Sequence, residues 1–259
     1  MIRPEPSRQQ TWALDAAGDL DLTQVSLFLD VDGTLAPIMP NPEDVGPIPQ
    51  RTTLLRTLQS RLDGRLAVVS GRAIVDIDRI LEASVTAVSG VHGLQRRDAQ
   101  GGLSQAQAHP GLAPAAEALR QFAAPLQGVA IEDKGLSLAV HFRAHPQAAQ
   151  LIEAQALSLA ATHGLSVQPG DCVVELRTPG HDKGDAVRAF MSEAPFNGAR
   201  PVFVGDDLTD EAGFGVAASL GGYGVLVGPE RPTLARRRLA DPAAVLAWLS
   251  RAVLTASAS

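Results

Sequence analysis

A chain of 259 residues that is 45% apolar and 19% charged, with a mean hydropathy close to zero, is long enough to bury a sizeable core and too apolar to be disordered. Its net charge of −6 and pI near 5.5 argue against a broad nucleic-acid-binding surface, which needs a basic footprint. The start, MIRPEPSRQQTWALDAAG, lacks the apolar core of a signal peptide, no apolar run is long enough to span a membrane, and the one cysteine, Cys172, precludes an intrachain disulfide. A protein of a reducing, cytoplasmic compartment is therefore expected.

Residues 1–23 are polar and irregular and read as a lead-in with a short helical piece. VSLFLD (25–30) is a continuous apolar run, the pattern of a strand covered on both faces. PIMPNPEDVGPIPQ (37–50) carries five prolines and reads as a loop. Leu54, Leu55, Leu58 and Leu62 then share one helical face, ended by Asp63 and Gly64. A strand at 65–71, a helix at 74–81 and a strand at 84–90 complete a β-α-β-α-β pattern, which predicts a parallel sheet with helices on both faces. GVHGLQRRDAQGG reads as a small hairpin or loop.

The pattern then changes. A helix at 114–126, two strands meeting at Lys134 and Gly135, a helix at 146–164 and two short strands before residue 178 form an α+β unit with an antiparallel sheet. Cys172 falls in the last of these strands and reads as a buried, inert thiol. A helix at 183–194, a strand at 201–207, a helix at 210–221 and a strand at 222–228 resume the parallel pattern, and Asp241 caps a last helix. Arg236, Arg237 and Arg238 read as a solvated face. The predicted architecture is a doubly wound α/β core, residues 1–105 and 179–259, with an inserted α+β domain at 106–178.

Ligands of open α/β sheets bind beyond the carboxyl ends of the strands. Three strands end there in chemically loaded residues: Asp30 and Asp32 with Gly33 and Thr34; Ser70 with Gly71 and Arg72; and Asp206 and Asp207. Lys183 opens a nearby helix. Four carboxylates in one crevice repel unless a proton or cation intervenes, and an all-oxygen donor set suits Mg²⁺. With the cation and Lys183 present, a phosphate dianion can approach. One carboxylate can attack phosphorus, while a second, two residues on, gives the leaving oxygen a proton and then activates water. Gly33 permits a sharp turn, Thr34 offers its hydroxyl and amide to phosphate oxygens, and Ser70 adds a donor.

DVDGT, the serine of VVSGR, a lysine and GDDLTD together resemble the four-part pattern of haloacid-dehalogenase-like phosphatases. More closely, residues about 25–250 resemble the trehalose-6-phosphate phosphatase family, through LDVDGTLAPI, SGVHG, IEDKGLSLAVHFR, VVELRTPGHDKGDAV and VFVGDDLTDEAGF. The resemblance implies Mg²⁺-dependent hydrolysis of a small-molecule substrate, trehalose 6-phosphate, through an aspartyl-phosphate, with the inserted domain as a cap. It implies Asp30 as nucleophile, Asp32 as general acid and base, and Ser70 and Lys183 as phosphate holders. The metal ligands it implies are Asp30, Asp206 and the main-chain carbonyl of Asp32. Asp207 supports that shell, and Asp210 orients Lys183 or a solvent ligand. Glu132, Lys134, Arg143 and Glu175 from the cap, with Gly71, Arg72 and His92 from the core, match sugar-contacting positions.

Taken singly, each motif has an ordinary explanation. Asp32 and Gly33 suit a turn, Asp206 to Asp210 suit a helix start, and Lys134 with Glu132 suits an exposed hairpin tip. Arg143 and Glu175 suit a surface ion pair, and His141 reads as structural. A sister sugar-phosphate phosphatase of the sucrose- or mannosylglycerate-phosphate type and a non-catalytic sugar-phosphate sensor remain alternatives. No nucleic-acid or membrane partner is expected. The oligomeric state stays open, with a monomer favoured.

Overall fold

The computed structural model describes residues 12–13, 20–170 and 172–256. Its first elements are β1 (Trp12–Ala13), β2 (Val25–Leu29), α1 (Pro49–Arg61), β3 (Leu66–Val69), α2 (Ile74–Leu81) and β4 (Ala87–Gly90), followed by a hairpin, β5 (Gln95–Arg97) and β6 (Leu103–Gln105). The middle section comprises α3 (Leu112–Ala123), β7 (Ala130–Asp133), β8 (Ser137–His141), α4 (Ala149–His163), β9 (Ser166–Gly170) and β10 (Val173–Arg177). The chain then returns through α5 (Lys183–Met191), β11 (Arg200–Gly205), α6 (Glu211–Ser219), β12 (Tyr223–Val227), β13 (Arg237–Leu239) and α7 (Pro242–Thr255).

Among the described residues the larger sheet has the order β1-β13-β12-β11-β2-β3-β4-β5-β6. It is parallel from β1 to β4, and the β5–β6 hairpin extends it antiparallel. Alternation along the central strands builds both faces. Leu27, Leu29, Val68, Val202 and Val204 pack under Leu55 and Leu58 of α1, Ile77 and Ile80 of α2, and Trp248 of α7. Phe28, Val69, Phe203 and Leu226 point the other way, under Val187 and Phe190 of α5 and Phe214 of α6. From β2 the chain steps outward to β3 and β4 on one side, and β11, β12 and β13 fill the other. The order therefore reverses between β2 and β11, which is where a crevice opens in such sheets.

The second sheet, β7-β8-β10-β9, is antiparallel. Leu138, Val140, Val174 and Leu176 face α3 and α4 and form a core of their own with Leu119, Ile152 and Ala156. This is the α/β core with an α+β cap that the element pattern predicts. Three expectations change. Arg237 and Arg238 are not a solvated face but part of β13. The Arg237 guanidinium lies 4.9 Å from the Tyr223 ring centroid, and Arg238 Nη1 donates to the Gly228 carbonyl at 2.9 Å. Alternation could not reveal a strand whose basic side chains lie along its neighbours. In the lead-in, residues 12–13 pair with β13 as a strand, and the remaining residues up to 19, on which the rest of the helical expectation falls, lie outside the described residues. Cys172 sits half-buried in the turn between β9 and β10, at φ 56°, rather than buried inside a strand.

Candidate active site

Pairing of β2 with β11 places Leu29 opposite Val204, so the residues just past each strand end side by side. The Asp30 amide donates to the Val204 carbonyl at 3.0 Å, and the Asp30 side chain is buried. Lys183 is the first residue of α5, whose start is held by a reciprocal capping box between Asp182 and Asp185. That start sends Lys183 Nζ into the crevice, 2.7 Å from Asp30 Oδ2 and 2.6 Å from Asp210 Oδ1. Burial alone would lower the Lys183 pKa, but the Asp210 and Asp30 carboxylates override it and keep the ammonium charged. The other oxygen of Asp210 accepts the amides of Asp206 and Asp207 at 2.9 and 3.0 Å. Asp207 caps the short turn that follows, its Oδ1 accepting the Leu208 amide at 2.6 Å.

Gly33 has φ +69°, and a β-carbon there would lie 1.9 Å from Asp206 Oδ2, so only glycine lets that carboxylate lie against the DVDGT turn. Thr34 corrects an expectation. It is fully buried, with its hydroxyl directed at Asp206 Oδ1 (3.4 Å) and its amide at the Val31 carbonyl (3.3 Å), and offers neither to an incoming phosphate. The turn folds back after Asp32, which carries Thr34 under Asp206 instead of into the cavity.

Carboxylate oxygens of Asp30, Asp206 and Asp210 all lie within 4.8 Å of one another. Burial, opposed by Lys183 and reinforced by Asp210, pushes Asp30 up to about 7. Burial, then Asp30 and Asp210, pushes Asp206 up to about 8. One lysine does not neutralise this crowd, and a hard divalent cation would. Asp210 is engaged by Lys183 and two amides and Asp30 by Lys183 and the Val31 amide (2.7 Å), while Asp206 accepts, among the described residues, only the long contact from Thr34; the oxygen chemistry of this cluster fits a hard divalent cation.

Asp32 is gripped by both arms of Arg72, at 2.6 Å from Nε to Oδ2 and 2.7 Å from Nη2 to Oδ1, and Arg72 Nη1 donates to the Pro42 carbonyl at 3.0 Å. Arg72 was expected to meet the sugar. Here it lines the cavity but its fork is engaged by Asp32, the bidentate match a guanidinium prefers. Ser70 is buried at the cavity wall and its Oγ accepts the Arg72 amide at 3.3 Å. Val91 and His92 both adopt left-handed backbone angles, φ 47° and 53°, a strained pair that lays the His92 ring over Gly71. A β-carbon on Gly71 would lie 2.6 Å from His92 Nε2.

The cap presents the polar side of its sheet to the same space. Register places Glu132 and Glu175 on either side of Ala139 in one cross-strand row, with their neighbours Ile131, Val140 and Val174 turned to the apolar side. Glu175 Oε2 lies 3.1 Å from His92 Nε2, Oε1 lies 3.6 Å from Lys134 Nζ, and Ser137 Oγ donates to Oε1. Burial alone would raise the Glu175 carboxyl, but Lys134, His92 and Ser137 hold it well below the usual range. Lys134 Nζ also donates to the Gly71 carbonyl at 3.1 Å, tying cap to core. Glu132 pairs with His141 Nε2 at 2.8 Å. Glu132, Lys134, His141 and Glu175, with Gly71, His92 and Arg143, line one cavity of about 410 Å³ that also holds Asp30, Asp206 and Lys183, a volume ordinary for a small-molecule site.

The structure thus brings the sequence-predicted site residues to this cavity and its immediate support. Sequence reasoning missed Ser137 and Arg231 and took His141 for structural alone. Strand alternation could have placed Ser137 and His141 on the polar face of β8. Nothing in the sequence marks Arg231, whose guanidinium reaches the Asp206 and Asp207 carbonyls from a loop beyond β12.

Residues 28–243 match the family model of trehalose-phosphatase. The trehalose-6-phosphate phosphatase of Escherichia coli K12 is 39% identical over 224 residues, which cover 86% of this chain and 84% of that protein. The crystal structure of a trehalose-6-phosphate phosphatase related protein is 27% identical, with a TM-score of 0.73 over 90% of this chain and 98% of that one. A phosphatase of the haloalkanoate (HAD) enzyme superfamily from Bacteroides thetaiotaomicron, 15% identical, shares the fold at a TM-score of 0.60 over 95% of this chain and all of that one. The chain belongs to the trehalose-phosphatase family and is an enzyme, a phosphoric monoester hydrolase.

Proposed function

We propose that the enzyme hydrolyses trehalose 6-phosphate to trehalose and inorganic phosphate, with Asp30 as nucleophile and Mg²⁺ as cofactor. The observation that carries this reading is one cavity with two chemically distinct ends. Asp30, Lys183 and Asp206 meet at the strand ends, and the polar row Glu132, Glu175 and Lys134 faces them from the cap. A phosphate suits the first end and a hydroxyl-rich disaccharide the second. Residues 106–178 are read as the cap that selects the sugar and sheds bulk water, and residues 1–105 and 179–259 as the core. A reducing, cytoplasmic setting completes the reading, supported by the lone cysteine.

In this reading Asp30 attacks phosphorus as the bond to the sugar oxygen breaks, and Asp32 gives that oxygen its proton. Asp32 then takes a proton from water, whose oxygen attacks the aspartyl-phosphate. The bond between phosphorus and Asp30 breaks, phosphate leaves, and both carboxyl groups are restored. Arg72 holds the ionised Asp32 at the cavity wall through both oxygens, and one of these two bonds gives way when Asp32 carries the proton. Lys183, held by Asp210, fixes Asp30 and faces the phosphate with Ser70. Asp30, Asp206 and the Asp32 carbonyl would hold Mg²⁺, which supplies positive charge against the phosphate dianion. Glu132, Lys134, Arg143 and Glu175, with Gly71 and His92 beneath, are read as the sugar-contacting set, and Asp207 as support for the acidic turn.

Phosphate release from trehalose 6-phosphate, compared with sucrose, mannosylglycerate and simple hexose phosphates at matched concentration, tests this. Turnover of trehalose 6-phosphate well above the panel, lost on chelation, is expected. Equal efficiency on unrelated sugars would defeat the disaccharide assignment, and tight binding without turnover would make the protein a sensor.

A further inference from the structure

The ladder between β11 and β12 ends at Gly205 opposite Leu226, so Asp206 and Asp207 lie beyond the reach of the sheet. Asp210 holds the amide side of this turn, as described. The carbonyl side is held by Arg231, from the loop between β12 and β13. Its Nη2 donates to the Asp207 carbonyl at 2.8 Å and to the Asp206 carbonyl at 3.2 Å. Its Nη1 donates to Glu211 Oε1, and to the Pro232 carbonyl at 3.2 Å. The second oxygen of Glu211 accepts the Leu234 amide at 2.7 Å, so one carboxylate staples the loop and aims the guanidinium. Arg231 is 22% exposed and forms part of the cavity wall.

We propose that Arg231, aimed by Glu211, is a positioning residue that sets the Asp206 carboxylate for the cation by clamping the two carbonyls of its turn. This rests on the assignment of Asp206 as a metal ligand. A rigid guanidinium plane spans two adjacent carbonyls and a carboxylate at once, whereas a lysine ammonium offers a single point of charge. Mg²⁺ accepts little departure from octahedral geometry, so a small rotation of the Asp206 peptide reaches its carboxylate and then the ion. Loss of an outer support of this kind typically weakens metal binding about 10–100-fold.

The test is a Mg²⁺ titration of the chelator-stripped full chain, followed by its melting temperature and so independent of turnover. A cation that binds the native state raises Tm, and the midpoint of the rise reports its affinity. Arg231→Ala is expected to move the midpoint about 10–100-fold to higher Mg²⁺. Arg231→Lys should recover part of the loss, and Glu211→Gln should shift the midpoint in the same direction. Should Arg231→Ala fail to fold, the lysine and Glu211 variants carry the comparison. Variants with the wild-type midpoint, whatever their metal-free Tm, would overturn the proposal and leave the metal assignment standing. A wild-type Tm indifferent to Mg²⁺ would overturn both.

Discussion

Asp30 and Lys183 are 153 positions apart in the chain and 2.7 Å apart in space, with Asp210 closing the triad. All three are buried, so each charge relies on the others. Lys183→Ala leaves two carboxylates unpaired, and a loss of about 3–5 kcal/mol in denaturant-measured stability is expected. Asp30→Asn keeps the shape of the side chain and removes the proposed nucleophile. Turnover should fall to background while far-ultraviolet circular dichroism stays native, and near-normal hydrolysis would refute the assignment. Asp32→Asn should lower kcat by about 10²–10⁴-fold, the usual worth of general acid–base catalysis. Gly33→Ala forces a side chain into a left-handed position and onto Asp206, at a cost of at least about 1–2 kcal/mol from the backbone alone. DVDGT announced this turn in the sequence. The inward face of Thr34 and the fork of Arg72 on Asp32 depend on how that turn folds back, which residue identity does not state.

The strands do two jobs by one alternation. On β2, Leu27 and Leu29 seat the helices of one layer while Phe28 stacks with Phe196 at 5.6 Å and tilts against Phe190 at 6.2 Å in the other. Phe28→Ala empties a fully buried site and should cost about 3–5 kcal/mol, read from urea unfolding. In the cap the same period puts Leu138, Val140, Val174 and Leu176 under helices and leaves Glu132, Ser137 and Glu175 toward the core. Glu175→Gln loses the ion pair with Lys134 and the carboxylate that faces His92. The expected fall in kcat/KM for trehalose 6-phosphate is about 10–100-fold, the equivalent of 1.5–3 kcal/mol in charged hydrogen bonds. Apolar runs made these elements legible, while β13 escaped notice because arginine stems cover its neighbours instead of hydrophobic side chains.

Across the molecule, the cavity exists only because two sheets face each other. Lys134 on the Gly71 carbonyl and Glu175 on His92 join them at the strand ends of the core. The acidic cluster predicts that the stability of the whole protein depends on pH and on a divalent cation. Without a cation, Asp30 and Asp206 titrate near 7 and 8 against an ordinary value of 3.8. Between about pH 4 and 8 these two groups bind more protons in the native state than in the unfolded chain, so their contribution to stability is full below that range and falls as pH rises through it, while His92, pushed down by burial, opposes them around its ordinary value of 6.5. Chelator-treated enzyme should lose on the order of a few degrees of Tm as pH rises from about 6 to 8, and saturating Mg²⁺ should flatten the slope. A metal-free Tm that rises over this interval would contradict the geometry.

Local chemistry already stated the central strands, the main helices, the change from a parallel to an antiparallel pattern and the acidic motifs, because periodicity and turn residues are properties of neighbours along the chain. Family and reaction followed from those motifs. Partnership across the chain was another matter. That Asp210 serves Lys183 and two amides, that Arg72 holds Asp32, and that Arg231 clamps the Asp206 turn are facts of distance. Hydrogen bonds form between atoms brought within 3 Å or so by packing, and the order of residues does not specify which remote donor arrives.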